Sequence, residues 1–272
     1  MNYVLIVLNS AFSMTRLARI GLQVALGVSI PALFAWQDPV ALYRSGLRLF
    51  AEKQPDAAIA ALRQSVAIQP ANAPAWKALG VVYASRGDYE NAEAPFRNAC
   101  ERQPALEEAC LYYGRALYLL DRFPPAIDVL RRAIALRESA EAHRLLGLSL
   151  QALSQSGEAG NEFRTAIRLA RDARPDEDPG IDYGVYLFRG GNVEQSVAPL
   201  EAALKRHPDS ARGHLELGCV LLALERLGEA ADHLERSLSI NPGTSRAHLL
   251  LGKVYLRLGK TEAAEAQLRQ VK

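Results

Sequence analysis

Residues 76–104 read WKALGVVYASRGDYENAEAPFRNACERQP, and three residues in that stretch decide the fold. Gly80 belongs to a series with Gly46, Gly114, Gly147, Gly184, Gly218 and Gly252, spaced by 34, 34, 33, 37, 34 and 34 residues. Ala92 belongs to a second, in step with the first: Ala58, Ala126, Ala159, Ser196, Ala230 and Ala264. Phe96 belongs to a third, with Leu62, Leu130, Phe163, Leu200, Leu234 and Leu268. A fixed period of this length predicts stacked supersecondary units. Each unit reads as two helices joined by a tight turn. The glycine admits the partner helix at close range, the alanine does the same from the second helix, and the large residue four places on fills the space beside them. Gly87-Asp88 and Gly191-Asn192 supply turn chemistry. Pro70, Pro104, Pro208 and Pro242 end second helices.

Within the second unit, Trp76, Leu79, Gly80, Tyr83, Ala92, Phe96 and Pro104 resemble the tetratricopeptide-repeat pattern at each signature place. The resemblance covers about residues 39–272 and implies an all-α fold: a right-handed superhelical solenoid of about seven helix-turn-helix repeats. Units one to four occupy 39–173 and units five to seven 177–272. The place of Trp76 is taken elsewhere by Leu42, Cys110, His143, Gly180, His214 and His248. Glu138 and Arg171 replace the closing proline in units three and four. Three extra residues fall within 171–179, the expected place for a bend. Pro95 and Pro199 sit inside second helices, where a proline costs about 3 kcal/mol, and predict local kinks. On the last helix the outer face, with Ala263, Ala266 and Leu268, is expected to be partly bare and to offer a surface to a partner or a second copy; fraying of that turn is the alternative.

Residues 20–37 carry no charge, and Arg16 and Arg19 precede them. A basic stretch, an apolar run and small residues read as a secretory signal over residues 1–36, with Met14 an alternative start. Two other readings stand beside it. Residues 20–36 are marginally long for an uncleaved membrane anchor, and they could form a helix capping the array. Signal and anchor both put the repeats outside the membrane.

Composition excludes several classes. Apolar residues make up 49% and charged residues 23% of 272, as in ordinary folded proteins. Taking Arg16 and Arg19 from the 32 basic residues leaves 30 against 30 acidic ones, a neutral body. Nucleic acid needs a basic excess to release counterions, so it is not expected as a partner. Phosphate-loop, HExxH and GxSxG motifs are absent from the sequence. Three of the five histidines (His143, His214 and His248) fill one slot in separate units, too far apart for a shared metal ion; His207 and His233 complete the set. No metal, cofactor or catalytic residue is expected. Cys100 and Cys110 face each other across a connecting loop. In an oxidising compartment they can bond; the other reading is two small buried thiols.

In the family it resembles, first helices line the concave surface. Register then places Tyr43 and Leu47, Lys77, Leu111, Arg115 and Tyr118, Arg144 and Leu148, Ile181, Val185 and Phe188, Leu215 and Leu222, and Leu249 and Lys253 in a partner-binding groove. That groove reads as apolar with scattered positive charge, suited to a peptide segment with apolar anchors. Lys77 matches the lysine of a chaperone-tail clamp, but Val81 stands where its asparagine is required. The expectation is an exported, non-enzymatic scaffold for protein or peptide segments. Self-association through the terminal unit and a cytoplasmic adaptor are the alternatives.

Overall fold

The computed structural model describes residues 38–102, 107–171 and 173–271. The leader and Pro104 lie outside the described residues. Among these, fourteen α-helices and no strand occur. They pair as α1 (Pro39–Ala51) with α2 (Pro55–Ile68), α3 (Ala73–Ser85) with α4 (Tyr89–Glu101), and α5 (Glu107–Leu119) with α6 (Phe123–Leu136). The next pairs are α7 (Ala140–Ala152) with α8 (Ser156–Leu169), and α9 (Pro179–Arg189) with α10 (Val193–Arg206). The last are α11 (Ala211–Ala223) with α12 (Leu227–Ile240), and α13 (Ser245–Arg257) with α14 (Thr261–Leu268). Each pair packs on the next, giving a solenoid of seven hairpins.

The periodic residues meet as pairs. A methyl added at Gly80 would lie 2.5 Å from the Phe96 ring, and at Gly46 2.5 Å from Leu62. Gly114 stands in the same relation to Leu130, Gly147 to Phe163, Gly184 to Leu200, Gly218 to Leu234 and Gly252 to Leu268. The large side chain therefore lies directly over the glycine. Within each hairpin the turn residue is left-handed: Lys53, Gly87, Asp121, Ser154, Gly191, Glu225 and Gly259 all have φ between 55° and 83°. First helices begin on short polar caps, as where Asn72 accepts from the Ala75 amide and Ser210 from the Gly213 amide. α4 and α10 run through Pro95 and Pro199 as continuous helices. One missing hydrogen bond is outweighed there by burial of Ala92, Phe96 and Ala99, and of Ser196, Leu200 and Ala203.

The slot of Trp76 closes each inter-unit loop in its own way. Trp76 Nε1 donates to the Pro70 carbonyl at 2.8 Å. His214 and His248 repeat this with Nε2 on Pro208 and Pro242. Cys110 is disulfide-bonded to Cys100, so of the two sequence readings the bonded one holds. At Gly180 the missing side chain leaves room for Arg206, which grips Asp178 through two hydrogen bonds. His143 lies in a loop one residue shorter; its Nδ1 meets Glu162 at 2.6 Å while its buried Nε2 has no hydrogen-bond partner.

Two apolar clusters form the interior, one from Ala58 to Phe163 and one from Ile181 to Val254. The inserted residues lie between them and include a short 3-10 turn, Pro175–Glu177. α9 bridges the two, because Tyr183 and Tyr186 stack on each other and pack against Phe163.

Candidate functional site

The first helices place the expected groove residues in three environments. Leu47, Leu249 and Lys253 are exposed, and Leu256 beside them is 50% exposed. Tyr43, Lys77, Leu111, Arg115, Tyr118, Leu148, Val185, Phe188 and Leu222 are half-buried. Arg144, Ile181 and Leu215 are buried, and Arg144 still borders two depressions of this face. These three share one register place with Tyr43, Lys77, Leu111 and Leu249, and from it Arg144 reaches Asp182 of α9. Phe188 leans onto the second apolar cluster.

The positive charge read from the sequence is largely paired. Lys77 of α3 meets Glu108 of α5 at 2.7 Å, and Arg115 of α5 lies 3.8 Å from Glu141 of α7. Arg144 of α7 binds Asp182 of α9 at 3.0 Å, and Arg212 of α11 binds the same carboxylate at 2.5 Å. Glu216 of α11 then meets Arg246 of α13 at 2.6 Å. An ion-pair ladder thus joins every consecutive first helix from α3 to α13. Its centre is dry, with the Asp182 side chain 1% exposed. Burial pulls the Arg144 guanidinium down, but Glu141 and Asp182 together outweigh it and hold the group above its ordinary value. The Lys77 ammonium, by hydrogen bond and charge, holds Glu108 below the usual carboxylate range. The inserted segment is tied into this ladder. Glu177 lies 3.5 Å from Arg115, and Asp176 accepts from Ser210 and the Arg212 amide.

Beside the ladder runs a trough of two adjoining depressions. One is walled by Tyr118, Leu148, Val185 and Arg189 with the ladder residues Asp182 and Arg212. The other runs to the turns and adds Phe123, Asp121, Tyr186 and Asn192. Tyr118, Leu148, Gln151 and Arg189 line both. The Tyr118 ring packs against Phe123 at 6.0 Å. Burial, and after it the charge of Asp182, pushes its hydroxyl pKa up. Sequence register found Tyr118 and Leu148. It missed Arg189, which lies in the last turn of α9 outside the repeating groove places, and the ladder carboxylates Glu141, Asp182 and Glu216. Their one sequence signal was acidic residues beside each slot.

Among the described residues no group of three or more His, Cys, Asp or Glu is placed to hold a metal ion. Nor is any described helix long and apolar enough to cross a membrane.

A family model described as tetratricopeptide repeat matches residues 43–107 and 183–245, and a second of the same description matches 221–272. Together they cover more than half of the chain. The chain belongs to the tetratricopeptide-repeat family. Solved structures extend that likeness along the tetratricopeptide-repeat solenoid. A tetratricopeptide repeat protein from Parabacteroides merdae superposes with a TM-score of 0.68 at 14% identity, over 86% of this chain and 91% of that one. A chain of the APC/C hetero-tetramer Cut9-Hcn1 gives 0.65 at 21% identity over 80% of this chain; this chain spans 42% of that one. IFIT1, as a monomeric mutant solved with Gppp-AAAA, gives 0.59 at 20% identity, over 83% and 58%. At these identities the likeness is one of fold. A comparison with curated protein sequences finds no match.

Proposed function

We propose that this tetratricopeptide-repeat protein is an exported, non-enzymatic scaffold that holds a segment of another protein on its concave face, in the trough between α5, α7 and α9. The observation that carries the reading is the trough itself. It combines an apolar floor (Tyr118, Leu148 and Val185) with side chains that have no hydrogen-bond or ion-pair partner among the described residues (Gln151 and Arg189). An extended segment supplies side chains for the floor and backbone carbonyls for the donors. Export draws support from the leader and from the Cys100–Cys110 bond, since disulfides persist in oxidising compartments. The reading against nucleic acid rests on the neutral body and not on the fold, since IFIT1 was solved with Gppp-AAAA.

Cross-linked co-purification from the cell-envelope fraction tests the proposal. Wild type runs beside a Tyr118→Glu, Leu148→Gln double variant of confirmed helicity. The expected result is a specific protein recovered with wild type and lost with the variant; equal recovery sinks the trough reading, and absence of the chain from that fraction sinks export. One observation favours a second reading, self-association: Leu249 and Leu256 on α13 are 36% and 50% exposed. A monomer's sedimentation coefficient that does not change with concentration removes it.

A further inference from the structure

The trough's polar groups differ in sign from what its surroundings leave to a partner. Its inner carboxylates are already engaged: Glu177 by Arg115 and Arg174, Asp182 by Arg144 and Arg212, and Glu216 by Arg246. The Arg189 guanidinium, which borders both depressions, has no such partner among the described residues. Near it the Gln151 amide and the Tyr118 hydroxyl are likewise without hydrogen-bond partners among the described residues. One carboxylate without a partner, Asp121, stands exposed on the turn at the outer rim. The inner trough therefore presents an apolar floor, three groups able to donate, and one net positive charge left over.

We infer that the segment held here is acidic as well as apolar: an extended peptide that lays an aliphatic side chain on Leu148 and Tyr118 and places a neighbouring carboxylate on Arg189. A guanidinium offers a planar set of donors matched to a carboxylate, and a carboxylate is acceptor-only and can take the Gln151 amide and Tyr118 hydroxyl as well. A basic peptide would meet Arg189 with like charge and leave those donors unpaired, which is how a site rejects a partner as well as how it selects one. This inference rests on the trough reading proposed above.

The test is fluorescence anisotropy with short labelled peptides of equal length, alternating leucine with aspartate, asparagine or lysine. They are titrated into the full chain, an Arg189→Gln variant and an Arg189→Lys variant. For wild type the aspartate peptide should bind about tenfold more tightly than the asparagine peptide, the scale of one charge-assisted contact. The preference should vanish in Arg189→Gln, return in part in Arg189→Lys, and shrink as salt is raised. Arg189 is exposed, so neither variant threatens the fold. Equal binding of aspartate and asparagine peptides, or tightest binding of the lysine peptide, overturns the acidic assignment and leaves the trough reading standing. Failure of all three peptides overturns the assignment too, and the co-purification with the double variant then decides whether the trough reading falls with it.

Discussion

Gly80 and Gly87 lie in one hairpin and are glycines for different reasons, which substitution separates. A methyl at Gly80 would enter the Phe96 ring at 2.5 Å in a buried contact, so Gly80→Ala should cost about 1–3 kcal/mol through forced repacking. A methyl at Gly87 meets nothing within 4 Å, and Gly87→Ala carries only left-handed backbone strain, about 1 kcal/mol. The reverse change at Ser154, an exposed residue held at φ 60°, should raise stability by up to about 1 kcal/mol in Ser154→Gly. Urea midpoints compare the three; equal losses at Gly80 and Gly87 would refute the packing account. The same residues mark how far sequence reading goes at this scale. The close-approach glycines were legible because all seven units keep them. The left-handed turn series was only half legible. Gly87, Gly191 and Gly259 announce it, while Lys53, Asp121, Ser154 and Glu225 tolerate the strain at exposed turns and look like any polar loop residue.

Between elements, the slot first occupied by Trp76 turns out to be a fastening point, and its chemistry yields two predictions. In unit six, His214 Nε2 faces the Pro208 carbonyl at 3.2 Å, which only an N–H satisfies. Its Nδ1 must then accept, and His233 Nδ1, 2.9 Å away, must donate. Protonating both rings sets two N–H groups against each other. Burial already holds both pKa values below the ordinary histidine value. For His214 the hydrogen bond to Pro208 offsets part of this and Arg236 adds to it; His214 lowers the pKa of His233, partly offset by Asp232, Glu201 and Glu229. A depressed folded pKa means that the contribution to stability is present above the unfolded value of about 6.5 and is lost as pH falls through it toward the lower folded values. The melting temperature of wild type should therefore drop more between roughly pH 7.5 and pH 5.5 than that of His233→Asn; parallel curves would clear the pair of any part. In unit three the fastening is covalent. Protein unfolded without reductant should label at one thiol, Cys219, and after reduction at all three cysteines; two or more labels without reductant would remove the bond. Sequence spacing brought Cys100 and Cys110 together but left bonding open, since proximity in a loop does not reveal redox state. It read the histidines as slot-fillers, because their partners Glu162, His233 and Gln267 come from the second helix of each hairpin.

For the molecule as a whole, the number of units and the place of the insertion were legible in the period. How the two halves are held together was not, because Glu177 read as part of a polar loop and Asp182 went unread beside Ile181, and these two reach back to Arg115 and Arg144. The apolar interior divides between Phe163 and Ile181. Across that division run the tyrosine contacts of α9 on Phe163 and the Arg144–Asp182 rung of the ladder. The outer rungs are solvated, and exposed pairs contribute little: Glu108→Gln should cost less than about 1 kcal/mol, and less still at high salt. The inner rungs are different in kind. Removing the buried Asp182 charge leaves the Arg144 guanidinium in the interior with Glu141 alone, and breaking a buried pair from one side typically costs about 3–5 kcal/mol. Asp182→Asn should therefore destabilise far more than Glu108→Gln. The loss should also appear at the junction first, as limited proteolysis within 171–177 while most of the helicity survives, because each half keeps its own apolar cluster and a repeat array is stabilised unit by unit. If Asp182→Asn is cut no faster there than wild type and melts like Glu108→Gln, the tyrosine contacts alone hold the halves, and the ladder shapes the binding face without bracing the solenoid.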